Sequence, residues 1–151
     1  MSDDVRWMGE AIAEAQNAFV RGEVPVGAVV VVGGRVIGRG RNRSVETGYP
    51  FEHAEIVALW DAVRNVGSRA LAQAVLYCTV EPCTMCVGAA LLARLPRIVF
   101  GAREPKTGAC ESVFHIPAES ALDHRMVVIG GVEEQRCVEL MQRFFRERRT
   151  E

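Results

Sequence analysis

Apolar residues Val5, Met8, Ile12, Ala15 and Phe19 recur at spacings of three and four, which puts them on one stripe of a helix over Asp3–Val20. Gly22 supplies the stop. Val26–Val32 is nearly continuous and β-branched, so it predicts a buried strand; Gly33-Gly34 suits a two-residue turn, and Arg35–Gly40 returns as the partner. Asn42–Glu52 holds Gly48 and Pro50 and no period. It predicts a loop leading to a helix that begins near His53, with Ile56, Trp60 and Val63 as its inward face.

The second half alternates strands with helices. Ala74–Val80 predicts a third strand, and Pro82 suits the first turn of a helix running to about Arg94. Arg97–Gly101 predicts a fourth strand. Glu104–Asp123, with Pro105, Gly108 and Pro117, reads as a long loop with room for one helical turn. Arg125–Ile129 predicts a fifth strand, and Cys137, Leu140, Met141, Phe144 and Phe145 repeat helically through Val132–Arg149. A hairpin followed by strand-helix units predicts an α/β fold: a three-layer α/β/α sandwich whose five-stranded mixed sheet carries helices on both faces.

Composition bounds this picture without changing it. The 151 residues, 49% hydrophobic and 25% charged, suffice for a single domain over 1–151 with a full core. No run is long and apolar enough for a membrane span, and Met1–Glu10 lacks the apolar stretch of a signal peptide, so the cytoplasm is the expected compartment. Thiols there stay reduced, which makes the five cysteines ligands or core residues rather than disulfides. The net charge of −1 gives no global signal for nucleic acid. Arg39, Arg41 and Arg43, then Arg103 and Lys106, then Arg143, Arg146, Arg148 and Arg149 form local basic clusters, each of which reads first as a solvated face.

Chemistry concentrates in His53-Ala54-Glu55 and Pro82-Cys83-Thr84-Met85-Cys86, both at predicted helix starts. Cys83 and Cys86, three apart on a helix, stand about 60° from each other, so both sulfurs reach one ion. By itself, Cys-x-x-Cys suits a thiol redox pair as well as a metal. His53 tips the balance, because three protein ligands on a tetrahedral zinc leave one position open, as in catalytic rather than structural sites. A bound zinc lowers the pKa of water from about 15.7 to about 7. Glu55 lies two residues from His53, about 200° around a helix, and so suits a general acid and base better than a ligand. A closed site would need a fourth ligand. Cys78 and Cys137 read as small core hydrophobes, Cys110 stays undecided, and His115 and His124 lack metal-spaced partners.

The pairing of His-x-Glu with Pro-Cys-x-x-Cys is the recognised signature of the zinc-dependent nucleobase deaminases, and the chain is identified as a member of the cytidine and adenosine deaminase superfamily. Within it, the chain most resembles the bacterial tRNA adenosine deaminases. The resemblance is carried by Glu23-Val24-Pro25-Val26-Gly27-Ala28, Arg35-Val36-Ile37-Gly38, Asn42-Arg43, His53-Ala54-Glu55-Ile56, Glu81-Pro82-Cys83, Gly101-Ala102-Arg103, Lys106-Thr107-Gly108-Ala109, His124-Arg125 and Phe144-Phe145-Arg146. It implies a cytidine deaminase-like fold and one zinc ion per subunit. It also implies conversion of adenosine to inosine at the wobble position of a tRNA anticodon, by a homodimer. The same resemblance places Asn42, Val24 and Ala54 against the flipped base, and Glu104 and Lys106 near the target nucleotide. Glu52 stands where the family carries a small residue, Glu104 where it carries aspartate, and Cys110–Leu122 departs from its usual sequence. All three touch substrate recognition rather than zinc chemistry, and keep a free nucleobase, nucleoside or small heterocycle, such as guanine or cytosine, as the alternative substrate class.

Overall fold

The hairpin forms as the pattern predicts. In the computed structural model, which describes residues 3–149, β1 (Gly27–Val32) turns through Gly33 and Gly34, at φ 56° and 75°, into β2 (Arg35–Arg41). Residues 1, 2, 150 and 151, at the ends of the span expected to form one domain, lie outside the described residues. β3 (Val75–Val80), β4 (Arg97–Ala102) and β5 (Val127–Ile129) complete a mixed sheet in the order β2-β1-β3-β4-β5. β1 pairs antiparallel with β2 and with β3, whereas β3, β4 and β5 run parallel, with Leu76 opposite Ile98 and Ile98 opposite Val128.

Alternation along the strands divides the core in two. Ala28, Val30, Leu76, Cys78, Ile98 and Phe100 face α3 (Ala54–Val66) and α4 (Thr84–Leu92). Val29, Val31, Tyr77 and Val99 face α1 (Asp3–Val20) and Cys137 of α5 (Glu134–Arg148). The expected layering, with helices on both faces of a five-stranded sheet, is therefore present. Four-residue helix α2 (Ser44–Thr47) and a 3-10 segment at Ser68–Gln73 add to the expected order, and the long loop carries its single helical turn at Ile116–Ala118.

The inward face of α3 differs from expectation. Ala54, Glu55, Ala58, Leu59 and Ala62 are buried, Ile56 and Val63 only partly so, and Trp60 is 62% exposed. The cause lies in β2, where a Cβ at Gly38 or Gly40 would overlap the backbone carbonyls of Ala58 and Ala54. So close an approach of helix to strand admits alanine and excludes indole. Phe145 of α5 likewise faces outward, while Phe144 is buried and packs edge-on against Phe19 of α1.

Candidate active site and metal centre

Two helices begin at the carboxyl ends of the central parallel strands, where open α/β sheets place their ligands. His53 is the N-cap of α3 and Cys83 the N-cap of α4, both with extended backbone. This corrects the expected starts by one or two residues, since Pro82 precedes the cap instead of occupying the first turn. His53 thus lies outside the helix that carries Glu55 on its first turn, and the two side chains do not stand in regular helical relation. The sulfurs of Cys83 and Cys86 are 3.8 Å apart, and each is 3.6 Å from His53 Nδ1. These three form the group of side chains that could hold a metal ion among the described residues. Glu55, Cys78, Cys110 and Cys137 are not part of that group, and all five cysteines are free of disulfides.

The electrostatics suit a cation. Cys86 and His53 next to Cys83 draw its thiol down to about 3, a shift that helix N-termini favour. Interaction with that thiolate, then burial, pushes Cys86 the other way, because a negative sulfur so close disfavours loss of a second proton. The Cys83 thiolate also raises His53. Glu55 is 4% exposed, and burial raises its carboxyl above the ordinary value, which brings it nearer to the range useful for proton transfer.

A cleft of ≈ 300 Å³ opens above these groups, lined by His53, Ala54, Glu55 and Cys83 on its floor and by Val24, Asn42 and Glu104 on its walls. Four of the residues expected to contact substrate are therefore together. Lys106 is exposed and is not among the lining residues; its backbone N–H donates to the Glu104 carboxylate at 2.9 Å. Val26, Ser44, Val80, Glu81, Thr107 and Met141 also line the cleft, and no local spacing in the sequence points to them.

Each wall is tied to a buried carboxylate. Glu23 accepts the N–H groups of Val45 and Glu46 in α2, fixing the turn in which Asn42 Oδ1 receives the Ser44 N–H. Glu81 accepts from Glu104, Cys110, Glu111 and Ser112. Burial raises the Glu81 carboxyl, but hydrogen bonds from Ser112, Glu111 and Glu104 outweigh that and hold it below its ordinary value. The readable signal in the sequence is an acid set among apolar residues, as Glu81 stands between Val80 and Pro82.

Two of the basic clusters are largely paired. Arg39 reaches Glu10 and Glu14, Arg41 and Arg43 reach Glu46, and Arg103 reaches Glu111 and Glu134. His124 contacts the Leu95 carbonyl, and neither it nor His115 joins the metal group. No helix among the described residues is long and apolar enough to cross a membrane.

Residues 2–149 match the MafB19-like deaminase family. The chain is 40% identical to the tRNA-specific adenosine deaminase of Bacillus subtilis over 149 residues, 99% of this chain and 92% of that one. It is 42% identical to that of Haemophilus influenzae, over 98% of this chain and 86% of the relative. Among solved structures, a tRNA:A34 deaminase studied for A-to-I editing at the wobble position superposes with a TM-score of 0.84 at 41% identity, covering 89% of this chain and 98% of its own. A guanine deaminase from Nitrosomonas europaea shares the fold at a TM-score of 0.77 and 23% identity, over 93% of this chain and 83% of that one. With near-complete coverage at this identity, and with the His-x-Glu and Cys-x-x-Cys elements converging at one cleft, the chain belongs to the MafB19-like deaminases and to the tRNA-specific adenosine deaminase family.

Proposed function

We propose that this chain hydrolyses the 6-amino group of adenosine at the wobble position of a tRNA anticodon, consuming water and releasing ammonia to leave inosine. The observation that carries this reading is the convergence of His53, Cys83 and Cys86 beside buried Glu55, at the floor of a cleft in a member of this family. The donor set suits zinc. Ligand bonds of about 2.3 Å to sulfur and about 2.0–2.1 Å to nitrogen put tetrahedral donors about 3.8 Å (S to S) and about 3.6 Å (S to N) apart. The separations here are 3.8 Å and 3.6 Å. His53 Nδ1 and the Cys83 and Cys86 Sγ atoms would hold one zinc per chain. When bound, zinc supplies water acidic enough to serve as a nucleophile near neutral pH.

The chain's own residues do the rest. Glu55 takes one proton from the attacking water and hands it to the purine ring nitrogen. It then takes the second from the hydroxyl now on C6 and gives it to the departing amine, so that ammonia leaves as the inosine carbonyl forms. Burial suits it to both directions of transfer. Val24 and Ala54 pack on the base, Asn42 hydrogen-bonds it, Glu104 meets the ribose side, and Lys106, from its exposed position, meets phosphate. The edited base must leave its stack to enter. Exposed Tyr49, Phe51 and Trp60 around a second groove of ≈ 500 Å³ support a homodimer, since association covers apolar patches of this kind. The tRNA substrate and the reduced thiols fit a cytoplasmic enzyme.

The test is incubation of zinc-loaded protein with total tRNA and, separately, with free bases and nucleosides. Inosine in tRNA, lost on chelation and regained with zinc, is the expected result. Ammonia from a free base without inosine in any tRNA would replace this reading with a small-molecule deaminase.

A further inference from the structure

Glu81 takes no part in metal binding, yet it is 3% exposed and its carboxylate is the acceptor for one whole wall of the cleft. Oε1 receives the Glu104 N–H at 3.1 Å and the Ser112 hydroxyl. Oε2 receives the N–H groups of Cys110 at 3.1 Å, Glu111 at 2.8 Å and Ser112 at 2.9 Å. All of these donors belong to one segment, residues 104–112, which has no helix or strand of its own. Backbone donors that would need water or secondary structure are satisfied by a single side chain. The segment closes around the carboxylate so tightly that a Cβ at Gly108 would overlap it. Glu104 and Thr107, at the near end of this segment, line the cleft. Glu81 directly follows β3, its N–H donating to the Ala102 carbonyl at 2.8 Å, so the wall is anchored to the sheet two residues before Cys83.

We infer that Glu81 is a positioning residue for substrate binding: its carboxylate holds residues 104–112 in the shape that presents Glu104 and Thr107 to the nucleotide. This rests on the function proposed above. An amide of the same size cannot reproduce the arrangement, because one of its two heads donates and would face N–H groups that also donate.

The variant Glu81→Gln should therefore raise KM for an anticodon stem-loop RNA by about tenfold or more, with kcat held within about threefold, since binding geometry is lost and the acid and metal are not. Zinc content should stay at that of the parent. Amide exchange at residues 104 and 110–112 should accelerate while the strands stay protected. Gly108→Ala, which strains the same contact from the other side, should give the same KM effect. Ser112→Ala, which removes only one donor, is the milder variant should Glu81→Gln fold poorly, and should raise KM by about two- to threefold.

A fall in kcat at unchanged KM, or loss of zinc, would overturn the inference by moving Glu81 into the chemistry or the metal site. So would unchanged exchange at residues 104 and 110–112. Wild-type protein that forms no inosine in any RNA would remove the proposed function instead; the exchange measurement, which needs no substrate, would still decide whether Glu81 orders the wall.

Discussion

The two ends of the central parallel strands hold acids in opposite states. Where β3 ends, Glu55 is buried, and burial outweighs the pull of His53 and pushes its carboxyl up. Where β4 begins, Asp4 of α1 meets Arg97 through two hydrogen bonds of 2.9 Å and 2.6 Å and receives the Tyr77 hydroxyl at 2.8 Å. Those partners, Arg97 foremost, hold the Asp4 carboxyl below its ordinary value, and the same bonds raise Arg97. A paired carboxylate contributes to the folded state and has no proton to offer near neutral pH. A desolvated one contributes little to stability and is poised to move a proton. One sheet thus separates stability from chemistry by the partners it gives to the same functional group.

The sharpest way to break this contrast is to neutralise each acid in turn. Glu55→Gln keeps the volume of the side chain and removes its capacity to shuttle a proton. Turnover should fall by about 10²–10⁴, with zinc content and the melting temperature not lowered. Loss of metal in this variant, or a melting temperature that drops with turnover intact, would place Glu55 among the structural residues.

Asp4→Asn should do the reverse. It leaves the Arg97 guanidinium half-buried without its counter-charge, which costs about 2 kcal/mol, the worth of a hydrogen bond to a charged group. For a chain of this length that lowers the melting temperature by about 4–8 °C, while kcat per folded molecule stays at the parent value. Thermal unfolding followed beside single-turnover kinetics reads both quantities. A kcat that falls with the melting temperature would mean that the two ends are coupled through the sheet.

This division was only partly legible in the sequence. The strands were, because short β-branched runs bounded by turn residues mark strands buried on both faces, and the donors were, because His-x-Glu and Cys-x-x-Cys are short-range spacings. What eluded the pattern is long-range. Asp4 and Arg97 lie 93 residues apart, and the segment that closes on Glu81 comes from 23 to 31 residues downstream. The inward face of α3 was misread for a related reason. Trp60 outweighs Ala54, Ala58 and Ala62 in hydrophobicity, but the glycines of β2 bring the helix too near for anything larger than a methyl group. Hydrophobic periodicity ranks residues by size and polarity, and a contact made by absence of side chain leaves no mark on it.

The smallest expected effect concerns acid. Arg97 holds the folded-state carboxyl of Asp4 below its ordinary 3.8, so in that range the unfolded chain binds more protons than the folded one, and stability rises with pH. The contribution is complete above 3.8 and is lost as pH falls through the lower, folded value. The stability difference between wild type and Asp4→Asn should therefore be constant at about pH 5 and above, and shrink as the solution is acidified past that point. Denaturant unfolding of both proteins across this range measures it directly. A difference that persisted undiminished in strong acid would mean that Asp4 stabilises the fold through packing and neutral hydrogen bonds, not through its charge on Arg97, and the electrostatic half of the contrast between the two ends would fall away.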